Sequence, residues 1–89
     1  MKSYKYAVVG IQGFMVQDLK LTGDELIIYA IIFQFTMQPR YYWVINYDFI
    51  VAFTRLSIDT IDSILEDLKE CNLIDYDGMR ARAKINDEE

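Results

Sequence analysis

Eight consecutive residues, Leu26-Ile27-Ile28-Tyr29-Ala30-Ile31-Ile32-Phe33, are apolar or aromatic. A helix through them is greasy on every side and cannot lie on a surface. The run is also far short of the ~20 such residues needed to cross a bilayer. It therefore predicts a central helix wrapped by the other elements of a small domain. Thr22 and Glu25 have the Thr-x-x-Glu spacing of a capping box at its start. Asp24 and Glu25 fall in the first turn, where the helix dipole favours negative charge. Gln38-Pro39 sets its end, because the residue before a proline is pushed out of helical geometry. The expected helix covers residues 23–37.

The chain has 89 residues, 53% of them hydrophobic, enough for one domain over 1–89 with one modest core. A domain this small is marginal unless well packed, and dimerisation is a common supplement. The N-terminus lacks a charged region followed by an apolar run and a cleavage site, so no secretory signal is expected. The single cysteine, Cys71, cannot form an internal disulfide and fits a reducing, cytoplasmic setting. It is expected to be a small buried or half-buried residue near a helix end, where the negative dipole end disfavours a thiolate. Histidine is absent. With one cysteine, that excludes a His/Cys metal site and a His-dependent triad. No nucleophile with a base partner, Gly-rich phosphate loop or metal-ligand spacing is present. Asp18, Asp24 and Glu25 are better explained by helix ends than by a paired-carboxylate site. No enzymatic activity, cofactor, metal, small-molecule substrate or membrane contact is expected.

In chain order, residues 4–12 are rich in strand formers, and residues 1–12 are read as a strand or extended arm until Gly10 and Gly13 break the pattern. Residues 14–19 predict a short helix with Phe14 (or Met15) and Leu19 inward. After Pro39, the aromatic and β-branched residues Tyr41-Tyr42-Trp43-Val44-Ile45 predict a short strand or extended loop. Asn46 is a plausible N-cap for a two-turn helix over 47–53. Residues 54–57 read as a tight turn with Ser57 as the next N-cap. Ile58, Ile61, Ile64, Leu65 and Leu68 then recur at helical spacing, an amphipathic helix over 58–71. Asn72 suits a left-handed residue at its end. Asp77-Gly78 predicts a hairpin wing over 73–85, pairing Tyr76 with Met79 and Asp75 with Arg80. Alternation puts Ile74, Tyr76, Met79, Ala81, Ala83 and Ile85 on one face, with Arg80, Arg82 and Lys84 on the other.

Two helices joined by a tight turn form a helix-turn-helix, and a hairpin directly after the second helix is a wing. Residues 41–45 can add a third strand. The expected fold is therefore mainly α with a small β-sheet, a winged helix-turn-helix.

Gly13-Phe14-Met15-Val16, then Leu19, Leu21, Gly23, Glu25-Leu26 and Ile28-Tyr29-Ala30-Ile31-Ile32, resemble the opening of the winged-helix domain in phage and plasmid replication initiators of the replisome-organiser type. Thr54, Ser57, Thr60-Ile61, Leu65, Leu68 and Leu73-Ile74 also fit that family's helix-turn-helix. The resemblance covers residues 11–78 and implies a domain that binds replication-origin DNA, usually as the N-terminal part of a larger protein. It also implies Lys, Arg, Ser and Asn on the exposed face of the second helix. Here that face carries Asp59, Asp62, Ser63 and Glu66, which oppose phosphate contact.

The charge pattern sharpens this point. The net charge of −5 argues against indiscriminate nucleic-acid binding. Residues 57–70 hold five acids and one base, whereas 73–85 hold two acids and three bases. The expected DNA-contacting set is Arg55 and the wing cations Arg80, Arg82 and Lys84 for phosphates. Ser57, Thr60 and Ser63 are the polar residues near the groove. Binding to double-stranded DNA is expected to be weak and steeply salt-dependent. The alternative is a winged helix serving as a protein-interaction or dimerisation module. The acidic helix would dock a basic partner, or residues 4–11 and the aromatics 41–43 would form a homodimer interface.

Overall fold

A computed structural model of the chain describes residues 9–36 and 42–84. The elements are α1 (Gly13–Gln17), α2 (Gly23–Thr36), β1 (Trp43–Val44), α3 (Tyr47–Thr54), α4 (Ile58–Glu70), β2 (Ile74–Tyr76) and β3 (Arg80–Ala83). The fold is mainly α with one small antiparallel sheet of strand order β1-β3-β2. Most of the arm over 1–12, the proline stop at 38–39, Arg40, Tyr41, Ile85 and the polar tail lie outside the described residues. Residues 9–12 form neither helix nor strand.

α2 occupies the centre, as its uniform apolarity requires. Ile28, Tyr29, Ala30, Ile31 and Ile32 are all at most 1% exposed. Each wholly buried isoleucine contributes roughly 1.5–3 kcal/mol of hydrophobic stabilisation. The helix packs on α1, α3, α4, β1 and β3. Its last turn is tied to the sheet by Thr36, whose buried hydroxyl donates to Ile32 O (2.7 Å) and accepts from Ala83 N (3.2 Å). The capping box is not made. Gly23 enters the helix at φ +58, and among the described residues Thr22 is used only through its carbonyl, which accepts from Leu26 N.

The two helices after β1 and the tight turn between them follow from their caps. Asn46 Oδ1 accepts from Phe49 N at 3.0 Å and starts α3. Arg55, at φ +66, ends it, its amide donating to Val51 O. Ser57 Oγ accepts from Thr60 N at 3.2 Å and starts α4. α4 closes in a Schellman turn: Asn72 sits at φ +67, its amide on Lys69 O, and the Leu73 amide reaches Leu68 O. That turn carries Leu73 over the core and leaves Cys71 exposed, contrary to the buried or half-buried position expected for it. The apolar stripe of α4 holds at Ile61, Leu65 and Leu68, with Ile64 partly buried. Ile58, in the first turn, projects past the neighbouring elements and is 51% exposed.

The hairpin forms, two residues off the expected register. Ile74 pairs with Ala83, Asp75 with Arg82 and Tyr76 with Ala81. The turn is centred on Gly78-Met79, with Asp77 N donating to Arg80 O and Gly78 at φ +93. Only the first central residue has positive φ, the pattern of a II′ turn, in place of the turn centred on Asp77-Gly78. Asp77 selects this choice: its Oδ1 accepts from Met79 N (3.0 Å) and Arg80 N (2.7 Å). A two-residue shift preserves alternation, so Ile74, Tyr76, Ala81 and Ala83 still face the core. Met79, now in the turn, is 65% exposed rather than part of the apolar face.

Candidate nucleic-acid interface

β1 adds to β3 through Trp43–Ala81 and Val44–Arg80 pairs. The alternation of the three strands then sorts their side chains. Trp43 turns inward and stacks on Phe35 at 4.7 Å, which meets the edge of Phe49. Tyr42, Val44, Asp75, Arg80 and Arg82 turn outward. The three wing cations expected from the sequence therefore share one solvent-facing surface.

Each of them has an acidic neighbour. The Arg80 guanidinium pairs with Asp77 at 3.1 Å, and Arg82 pairs with Asp75 at 3.1 Å. Lys84 Nζ lies 3.7 Å from Asp75 and 2.5 Å from Asn72 Oδ1. The expected Asp75–Arg80 pair is replaced because the shifted register puts Arg82, not Arg80, opposite Asp75. Tyr42 completes the cluster, with Arg80 and Arg82 at 5.4 and 4.7 Å from its ring centre. Its hydroxyl donates to Asp75 Oδ2 at 3.5 Å. The Arg80 and Met79 amides, followed by the Arg80 side chain, hold the Asp77 carboxyl below its ordinary value. Exposed pairs of this kind contribute little to stability.

The remaining expected residues stand apart from the sheet face. Arg55 is exposed in the turn between α3 and α4 and makes no ion pair among the described residues. Ser57 and Thr60 satisfy each other: besides the cap bond, Ser57 Oγ donates to Thr60 Oγ1 at 3.0 Å. Ser63 is exposed on the outer face of α4. β2 runs back along α4, from Leu73 beside Leu68 to Tyr76 beside Asp62. Arg80 thus lies toward the hairpin tip, and Lys84 lies at the far end of α4, beside Asn72.

The acidic face of α4 is smaller than the sequence pattern implies. Asp62 is half-buried, and its Oδ1 accepts from Tyr47 Oη (2.7 Å) and Tyr76 Oη (3.3 Å). The two hydroxyls are also 3.2 Å apart. Burial first, and then these hydrogen bonds, raise Tyr47 well above the ordinary tyrosine range; Tyr76 is raised mainly by burial. Asp62 thus ties α3, α4 and β2 together, whereas Asp59, Glu66, Asp67 and Glu70 remain exposed. Sequence reasoning missed this triad because the three residues are far apart in the chain and share no periodic pattern. It missed the Tyr42–arginine stack because that depends on the third strand's register.

Among the described residues, no group of three or more His, Cys, Asp or Glu side chains is placed to hold a metal ion. No helix among them is long and apolar enough to cross a membrane. No protein-family model, curated protein or solved structure matches the chain.

Proposed function

We propose that the chain is a winged-helix domain of the phage replication-initiator or regulatory type, acting in the cytoplasm. It contacts duplex DNA through its hairpin and the turn before α4. The observation carrying this reading is the order α3, tight turn, α4, hairpin, with Arg80, Arg82 and Lys84 on one outward face. These cations and Arg55 take phosphates. Ser57 and Thr60 mark the end of α4 nearest the backbone, and Ser63 lies one turn further along. The exposed acids of α4 keep that helix from lying deep in a major groove, so contact rests on the phosphate backbone rather than on base edges.

The test is fluorescence anisotropy of a labelled random duplex. Four phosphate contacts give a log–log salt slope of about −3.6, a loss on the order of a hundredfold between 50 and 200 mM salt. The Arg80→Ala/Arg82→Ala/Lys84→Ala variant should lose binding. Absence of wild-type binding at 50 mM salt would refute the reading.

A second reading is favoured by one observation. The exposed face of α4 carries Asp59, Glu66, Asp67 and Glu70 against one base, Lys69. That face suits a basic protein partner, and the module would then act by protein interaction or homodimerisation. Light scattering at high concentration addresses the dimer; a monomer would eliminate it.

A further inference from the structure

A groove of about 890 Å³ lies where α1, the end of α2 and the turn after α4 meet. Its walls are Phe14, Leu19, Phe33 and Leu73, and Tyr29 reaches it from the core. Tyr29 is 1% exposed, and among the described residues its hydroxyl has no hydrogen-bond partner. No fully buried side-chain oxygen or nitrogen among the described residues lacks a partner. The unpartnered hydroxyl is therefore the part of Tyr29 that meets the surface, and the surface it meets is this groove. Phe14 and Phe33 flank the ring at 6.5 and 6.3 Å, so a phenylalanine here would serve the packing equally well. At neutral pH the Tyr29 hydroxyl is protonated and free to donate, and burial pushes it up to about 12. On the rim stand Asp18 and Lys84, whose ammonium touches Asn72 Oδ1 and lies 3.7 Å from the partly exposed Asp75 carboxylate.

We propose that this groove binds a small amphiphile with a flat apolar body, a hydrogen-bond acceptor for Tyr29 Oη and a single negative charge for Lys84. The aromatic and leucine walls suit the flat body, and the volume lies within the ~300–1,000 Å³ of small-molecule sites. Lys84 is common to this groove and to the outward sheet face, whereas Tyr29 belongs to the groove alone, so Tyr29→Phe tests the inference apart from DNA binding.

Naphthalene-2-carboxylate has this chemistry and serves as the probe, titrated into the full chain and followed by amide NMR. Expected are saturable shifts concentrated at Leu19, Phe33 and Leu73. Tyr29→Phe should weaken binding by about fivefold, the worth of one hydrogen bond, with the thermal midpoint unchanged. The uncharged 2-naphthalenemethanol should bind more weakly than the carboxylate. Equal affinity of Tyr29→Phe and wild type overturns the proposal, as does a fall in the thermal midpoint of Tyr29→Phe, which would show that the hydroxyl already serves the fold. Shifts that fail to saturate or scatter over the molecule overturn it as well.

Discussion

Removing the Asp62 carboxylate should destabilise the fold far more than removing a neighbouring acid. Asp62 Oδ1 accepts from Tyr47 and Tyr76, and these two bonds hold α3 and β2 against α4. Hydrogen bonds to a charged group contribute ~1.5–3 kcal/mol each, and the half-buried setting places both at the lower end. Two such bonds amount to about 3 kcal/mol. Alanine recovers roughly 0.6 kcal/mol in helix propensity, and the Tyr47–Tyr76 contact survives, leaving Asp62→Ala about 2 kcal/mol less stable. For a domain of this size that lowers the thermal midpoint by about 8–16 °C, read by circular dichroism melts. Asp59→Ala is the control. Its lost dipole interaction, ~0.3–1 kcal/mol, is offset by gained propensity, so it should melt near wild type. Adding Tyr47→Phe to both backgrounds isolates the pair, with a coupling of ~1–2 kcal/mol expected for contacting residues. Equal melting of Asp62→Ala and Asp59→Ala, or a coupling near zero, would show that the triad holds nothing together.

The turn and the tyrosines supply further tests. Gly78→Ala meets no atom within 4 Å at its new Cβ, so its cost is backbone strain alone at φ +93. That cost is ~1–2 kcal/mol by denaturant titration, whereas Gly10→Ala, with the same open space and no positive φ, should be near neutral. Leu65→Ala, at a wholly buried position of α4, should cost ~2–5 kcal/mol by the same assay. The folded-state values of Tyr29, Tyr47 and Tyr76 lie above the unfolded value of 10.0, so their contribution is complete below pH 10.0 and is lost as pH rises through the folded values. Ultraviolet titration should show these three ionising late, with alkaline unfolding beginning above pH 10.0; normal titration of all seven tyrosines in the folded protein would contradict the burial. Asp77 runs the other way: its folded value is depressed, so the Met79 and Arg80 amide shifts should hold through pH 3.8 and move only below it.

The helices and the hairpin were legible in local pattern. An apolar run with no polar side had to become the central helix. Side chains at Asn46, Ser57 and Asn72 accept or adopt what helix ends demand within three residues, so those boundaries were readable locally. Arg80, Arg82 and Lys84 share a face because strand alternation has a period of two whatever the partner register. Packing governs everything that depends on which distant group arrives. Asp77 bonding two amides moved the turn by a residue and the pairing by two, which replaced the Asp75–Arg80 pair with Arg82 and sent Met79 to solvent. Asp62 reads as one acid in an exposed row, yet tyrosines 15 residues before and 14 after it close on its carboxylate. Thr36 and Tyr29 carry hydroxyls in an apolar run or at its edge. One is satisfied by a strand amide 47 residues away, while the other opens on a groove assembled from three elements. Helix caps and alternation are set by neighbours along the chain, whereas buried polar pairing is set by the approach of segments that only the folded packing brings together.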